Sequence, residues 1–344
     1  MTDAQKPAAT GDEEDLRHSR EVPDELDGQR LDVACAKLFD AWSRARLQAW
    51  IGEGRVRLNG APADKPRLPV HAGDLLELDA EPEADVTVRP EAIALDIVHR
   101  DKAIAVINKP AGLTVHPGAG VSSGTLQNAL LHHFPQTAAV PRAGLVHRLD
   151  KDTSGLLVVA LTLPAHAKLA AAISEHAFRR EYDAIVHGDM VAGGTVDAPI
   201  GRHPRERVKM AVLERGGREA VSHYRVHERF PAHTHLRVRL ETGRTHQIRV
   251  HMAHIKHPII GDATYGGDVV RGRGMDDRLR HVLKAFPRQA LHARELELTH
   301  PVSGKLIGWT AEPPQDMQDL LAALREEAAA SAAAVSSKAT RSRG

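Results

Sequence analysis

The stretch Gly144-Leu-Val-His-Arg-Leu-Asp-Lys-Asp-Thr-Ser-Gly-Leu-Leu-Val-Val-Ala160 places charged and hydroxyl side chains directly before an apolar run. Residues 156–161 are all aliphatic, which predicts a short buried strand. Ser154 and Gly155 mark the bend that enters this strand, so the polar residues before them lie on a loop fixed by a rigid element. Polar groups held in this way often bind or react, although a charged surface turn has the same pattern.

Composition limits the classes of protein that the chain can be. Its 344 residues carry 46 Lys and Arg against 45 Asp and Glu, and the length allows two or three domains. Cys35 is the single cysteine, which excludes an internal disulfide and predicts a reducing, cytoplasmic location. The first residues lack the basic and apolar parts of a signal peptide, and no apolar run approaches the roughly 20 residues of a membrane span. Secretion and membrane insertion are therefore not expected.

The pattern along the chain predicts two folded domains joined by a linker and flanked by tails. Strands outnumber helices in the larger domain and many are joined by hairpin-length connections, so we expect an α+β fold with a mixed, largely antiparallel sheet. A polar, basic segment at 266–280 predicts a mobile insertion. The predicted segments are a disordered acidic tail (1–20), a small domain (21–80), a linker (81–92), the larger domain (93–325) and a disordered basic tail (326–344).

The small domain combines two helices with a short sheet. Apolar residues recur at helical spacing in two runs, and Ser43 is a suitable N-cap for the second. Residues 55–58 alternate like a strand, Asn59-Gly60 is a strong hairpin signal, and residues 75–78 form another strand. The polar positions are mostly cationic. A basic face of this kind binds phosphates through charge, although a solvated charged face looks the same in sequence.

Two sets of residues resemble metal-dependent centres. Asp150 and Asp152 are spaced like the acid pair of magnesium-dependent phosphotransferases, but the sequence lacks the further carboxylates that would hold the ion. A histidine set has spacings that would suit metal ligands on a helix. Arginines and a lysine are interleaved with these histidines and oppose a divalent cation, so we expect no metal. The set is His246, His251, His254 and His257.

A third set pairs a carboxylate with an arginine that is distant in sequence, Asp150 with Arg249, with Tyr182 nearby. A guanidinium beside a buried carboxylate favours its charged form, and an aromatic ring with a phenol offers a flat surface for a base and a group for proton transfer. Such a set would suit attack on, or proton removal from, a nucleoside sugar or base. The sequence alone does not show that these residues meet.

Three ordered motifs resemble those of the RluA-type pseudouridine synthases. The first contains His147-Arg-Leu-Asp150, the second contains Tyr182, and the third contains Arg249. Shorter matches surround them, and residues from about 28 to 80 resemble the S4 RNA-binding domain. A resemblance in this order over roughly residues 28–324 is far more specific than any single motif. The three motifs are Arg142–Gly155, Arg180–Gly188 and Leu240–His254.

The resemblance implies a pseudouridine synthase catalytic domain after a small S4 (α-L) domain. It implies that Asp150 is the catalytic aspartate, Arg249 its ion-pair partner and Tyr182 the ring that packs on the uracil. Arg148 would enter the space left by the flipped nucleotide, because an enzyme reaches a stacked base only after extruding it. The other substrate-binding residues implied are His147, Lys109, His116, Arg244, His246 and Gln247, and the RNA-binding arginines of the S4 domain are Arg44, Arg46, Arg55 and Arg57.

The implied substrate is a set of uridines in 23S rRNA or in a precursor of the large subunit, in the helix 69 stem-loop. The implied reaction is an isomerisation by a monomer without metal, nucleotide or other cofactor. Three routes remain open, in which Asp150 attacks the sugar, attacks the base or removes a sugar proton. Two other functions also remain open: a noncatalytic RNA-binding or ribosome-assembly protein, and a metal-dependent hydrolase.

Overall fold

The computed structural model describes residues 17–40, 42, 44–80, 88–118, 121–206, 209–270 and 275–341. It divides into two compact units, with the division after Thr87. Most of the predicted linker and the predicted N-cap Ser43 lie outside the described residues. Residues 88–92 belong to the second unit, where the Arg89 carbonyl accepts a hydrogen bond from Asn128 Nδ2 at 2.8 Å.

The first unit is a four-stranded antiparallel sheet with two helices. Asn59 and Gly60 both adopt positive φ, as a tight hairpin turn requires. Residues 17–20, expected in the disordered tail, instead form a strand with Glu21, because its backbone pairs with a sheet edge. The elements are β1 (Arg17–Glu21), a 3-10 turn (Asp24–Leu26), α1 (Leu31–Leu38), α2 (Arg44–Gly52), β2 (Val56–Leu58), β3 (Ala61–Pro62) and β4 (Leu75–Asp79), with sheet order β1-β4-β2-β3.

The second unit contains a large sheet with helices packed on it. Its elements are β5 (Asp96–Arg100), β6 (Ile104–Lys109), α3 (Leu126–His133), β7 (Ser154–Ala160), α4 (Leu163–Ser174), β8 (Arg179–His187), β9 (Gly194–Asp197), β10 (Ile200–Arg202), β11 (Met210–Val212), β12 (Val221–Arg229), β13 (His233–Leu240), α5 (Gln247–His254), α6 (Asp277–Ala285), β14 (Leu291–Thr299), β15 (Leu306–Thr310) and α7 (Gln315–Arg341).

The strand predicted at residues 156–161 is β7, at 154–160, so the prediction placed this strand and missed its ends.

The large sheet has nine strands, in the order β5-β6-β7-β14-β8-β13-β12-β9, with β15 pairing to β14. Its pairs are antiparallel except β7 with β14, which run parallel where His292 and Ala293 lie opposite Ser154 and Gly155. A mixed, largely antiparallel sheet was predicted, and this is confirmed. Strand β7 is buried along its whole length, because its alternate residues pack into two hydrophobic cores on opposite faces.

Two predictions about irregular segments are wrong in part. Helix α7 continues to Arg341, so the predicted basic tail is helical up to that residue, which agrees with the high helix propensity of its alanines. Within the predicted insertion at 266–280, Asp276 caps α6 by accepting a hydrogen bond from the Leu279 N–H at 2.6 Å. Residues 271–274 lie outside the described chain. No described helix is both long and apolar enough to span a bilayer.

Candidate active site

Asp150 lies on the loop that leads into β7, and two features fix this loop. Leu149 is buried beside it, and the Thr153 N–H donates to the Asp150 carbonyl at 3.1 Å. Gly155 has a φ of 114°, and a Cβ there would lie 2.2 Å from the Ala293 carbonyl oxygen. Only glycine therefore allows β14 to approach so closely at the end of the loop.

Lys109, which was predicted to bind substrate, supports the same loop through hydrogen bonds from its buried side chain. The side chain is fully buried, and Nζ donates to the carbonyls of Pro110, Leu113 and Lys151 at 2.8, 2.9 and 2.9 Å. Burial lowers the pKa of Lys109 to about 8, although two nearby carboxylates oppose this shift. Since an ammonium group has three donors, none is left for RNA.

Arg249, on α5, joins the carboxylate of Asp150 to a second carboxylate. Its Nη1 donates to Asp150 Oδ2 at 3.1 Å, and its Nε and Nη2 donate to the two oxygens of Asp262 at 2.7 and 2.9 Å. Burial lowers the pKa of Arg249, but the two carboxylates outweigh burial and raise it above its usual value. Asp262 is buried, and the sequence analysis did not single it out as a partner of Arg249.

His246 faces Asp150 from the other side and is held by Tyr265. The Tyr265 hydroxyl accepts a hydrogen bond from the Met210 N–H at 3.0 Å and lies 2.8 Å from His246 Nδ1. If the hydroxyl donates to Nδ1, the ring proton is on Nε2, which lies 3.9 Å from Asp150 Oδ1. This tautomer avoids placing a lone pair against the carboxylate. Burial lowers the pKa of His246, with Asp150 opposing and Arg249 adding to the shift.

Tyr182 lies on β8, where it pairs with Val238 on one side and Ala293 on the other. Its side chain is nearly buried, and no described residue forms a hydrogen bond with its hydroxyl. Burial raises the pKa of Tyr182; Arg180 opposes this shift and Asp150 adds to it. A neutral phenol and its ring are therefore presented beside the carboxylate.

A cavity of about 500 Å³ is lined by Asp150, Tyr182, His246 and Arg249. Asp150 is the only carboxylate among the described residues that line it, whereas six arginines do so. Such an excess of positive charge attracts a polyanion and suits a negatively charged substrate. The lining arginines are Arg142, Arg148, Arg180, Arg218, Arg244 and Arg249.

The remaining predicted substrate-binding residues fall into two groups. Arg148 is exposed and lines the cavity. His116 and Arg244 are partly exposed and also line it, and Arg244 Nε donates to the Glu219 carbonyl at 2.9 Å. His147 also lines it, but its Nε2 accepts the Val158 N–H at 3.0 Å. Burial, with a smaller effect of a nearby arginine, lowers the pKa of His147 to about 3, so the ring is neutral.

Gln247, which was predicted to bind substrate, lines the cavity, and protein groups occupy the hydrogen-bonding positions of its side-chain amide. Its Oε1 accepts from Thr242 Oγ1 and the Arg244 N–H at 2.8 and 2.9 Å. Its Nε2 donates to the Val221 carbonyl and to Ser222 Oγ at 3.0 and 3.1 Å. The side chain therefore positions the start of α5, the helix that carries Arg249.

The histidine set does not converge. His251 is buried with its ring nitrogens 2.9 Å from Ser222 Oγ and 3.0 Å from the Ala198 carbonyl. His257 Nδ1 lies 2.8 Å from the His187 carbonyl. In the described parts of the chain, no group of three or more His, Cys, Asp or Glu side chains is arranged to hold a metal ion.

The four arginines predicted to bind RNA in the first unit differ in their surroundings. Arg44 Nη2 donates to the buried Asp32 at 2.8 Å, so it also stabilises the fold. The guanidinium of Arg46 lies 4.9 Å from the centre of the Trp50 ring. Arg55 is half-buried with its Nε 3.5 Å from Glu53, and Arg57 is exposed.

Comparison with known proteins gives consistent matches over both units. The family model for RNA pseudouridylate synthase matches residues 103–254, and the S4 domain model matches residues 29–76. The ribosomal large subunit pseudouridine synthase D of Pseudomonas aeruginosa is 54% identical over 312 residues, which cover 91% of this chain and 97% of that protein. The Escherichia coli protein of the same name is 52% identical over 300 residues, covering 87% and 92%.

A solved structure agrees with these matches. Human RNA pseudouridylate synthase domain containing 4 has a TM-score of 0.52 and 26% sequence identity to this chain. The similarity covers 67% of this chain and 92% of the human chain.

Proposed function

Because the chain belongs to the RNA pseudouridine synthase family, we propose that it converts uridine to pseudouridine in large-subunit ribosomal RNA. The Pseudomonas aeruginosa and Escherichia coli relatives are named as synthases of the ribosomal large subunit, and this chain matches more than nine-tenths of each of them. Within that RNA we propose the helix 69 stem-loop of 23S rRNA as the target. The observation that supports the proposed reaction most is the ion pair between Asp150 and Arg249 beside Tyr182 in one cavity.

The proposed reaction begins with a flipped uridine. Arg148 is exposed at the cavity and occupies the space that the nucleotide leaves in the RNA. The uracil then packs on Tyr182 with its sugar toward Asp150. The bond between C1′ and N1 breaks, the base turns, and C5 bonds to C1′ while its proton is lost and N1 gains one. No atom is gained or lost overall, so the reaction consumes no cofactor.

A transcript of large-subunit RNA tests this proposal. Wild-type protein should form pseudouridine in helix 69, mapped by carbodiimide treatment and primer extension, and Asp150→Asn should form none. Asp152→Asn is the matched control, because it changes a carboxylate of the same loop that does not line the cavity. Modification confined to other sites would refute the helix 69 target, and equal activity of Asp150→Asn would refute the proposed reaction.

A further inference from the structure

Arg180 is a buried cation without an anionic partner. It lies on β8 two residues before Tyr182, lines the cavity and is 7% exposed. Among the described residues no carboxylate forms an ion pair with it. Within the described parts of the chain its buried Nε has no hydrogen-bond partner, and its Nη2 donates a long hydrogen bond to the Glu241 carbonyl at 3.4 Å. Most of its five N–H donors are therefore unused by the protein.

The other arginines of the cavity are compensated in ways that Arg180 is not. Arg249 has two carboxylates, Arg142, Arg148 and Arg218 are exposed to water, and the partly exposed Arg244 donates its Nε to the Glu219 carbonyl. Removing an ion from water without giving it a partner of opposite charge is unfavourable. Gly243 permits this placement, because a Cβ there would lie 2.8 Å from Arg180 Nη1. The fold thus holds an unpaired guanidinium against the cavity that receives the substrate.

We propose that Arg180 is a catalytic residue that stabilises the negative charge carried by the uracil during the reaction. This inference rests on the proposed function. In each open route the base becomes anionic: it leaves C1′ with the electron pair of the broken bond, or it holds an enolate on O4 after a carboxylate adds to C6. The neutral base of bound uridine gains less from a guanidinium, so the interaction favours the transition state.

Single-turnover kinetics on the modified RNA test this proposal. Arg180→Met should lower the rate at saturating enzyme by about 10²- to 10³-fold, the loss typical for one oxyanion donor. The RNA Kd should change less than about threefold, since a base contact in the transition state adds little to ground-state binding. Arg180→Lys should retain more of the rate than Arg180→Met, because it keeps the charge. Arg239→Met, an exposed arginine outside the cavity, is the matched control.

The outcomes separate the alternatives. Loss of affinity with a flatter salt dependence and an unchanged saturated rate would place Arg180 on a phosphate and overturn the proposal. An Arg180→Met rate equal to wild type would also overturn it. Rescue of Arg180→Ala by added ethylguanidinium would support an electrostatic role, which a structural role would not produce. A wild-type protein that forms no pseudouridine would refute the proposed function, and this inference with it.

Discussion

Asp262 should be as important for the fold of the active site as Asp150 is for its chemistry. Asp262 Oδ1 accepts from Arg249 Nη2 and from the N–H groups of Thr264 and Tyr265, and Oδ2 accepts from Arg249 Nε. In Asp262→Asn an amide NH₂ takes the place of one oxygen. The negative charge is lost in either orientation of the amide. If the NH₂ group takes the place of Oδ2, it also faces the Nε donor of Arg249, and no hydrogen bond can form between them.

Breaking one side of a buried ion pair costs about 3–5 kcal/mol, and Asp262 is 1% exposed, so we expect a loss of this size in the free energy of unfolding. The saturated rate should fall by about 10²-fold, because Arg249 keeps Asp150 but loses the partner that orients it. Chemical denaturation and single-turnover kinetics measure the two effects.

Asp189→Asn is the matched control for this experiment. Asp189 accepts two hydrogen bonds from Arg229 at 2.8 Å each, in the same bidentate geometry but at the surface. Exposed ion pairs contribute little, so stability and rate should stay close to wild type. If Asp262→Asn behaves like this control, Arg249 is oriented without Asp262 and the reasoning is wrong.

Three further predictions concern other parts of the chain. Tyr265→Phe removes the hydroxyl beside His246. The single-turnover rate should fall about tenfold, because losing one hydrogen bond of about 1.4 kcal/mol has this effect on a rate, and RNA affinity should not change. An unchanged rate would show that the tautomer of His246 does not affect the reaction. Burial raises the pKa of Asp32, but hydrogen bonds from Arg44, Gln48 and Arg30 outweigh it and lower the pKa from 3.8 to about 2. The stability that this carboxylate contributes is therefore present above pH 3.8 and lost as the pH falls toward 2, so acid titration of Asp32→Asn should show a weaker dependence over that range than wild type. Arg57→Ala should reduce the slope of log K for RNA binding against log salt concentration by about 0.7–0.9 per lost phosphate contact, without changing stability. Arg44→Ala should also destabilise the first unit, because Arg44 donates to the buried Asp32. A slope equal to that of the wild type would show that Arg57 does not contact the RNA.

Local patterns in the sequence predicted strands and turns better than they predicted the roles of polar side chains. The aliphatic run after Gly155 is β7, and the hairpin signal at Asn59 forms the expected turn. Lys109 and Gln247 lie in matched motifs and were predicted to bind substrate, yet the side chains of both form hydrogen bonds with protein groups. A sequence shows that a polar residue is present, but the groups that satisfy it come from distant parts of the chain.

The sequence by itself determined the order of the two domains and the positions of many strands and helices, and its family resemblance implied that Asp150 pairs with Arg249. These depend on backbone preferences and on residue patterns that are local or are repeated across the family. Tertiary structure alone decided that Asp262 holds Arg249 and that Arg180 remains unpaired. Whether a buried charge is compensated depends on every group that the fold brings within a few ångströms, and spacing along the chain does not contain that information.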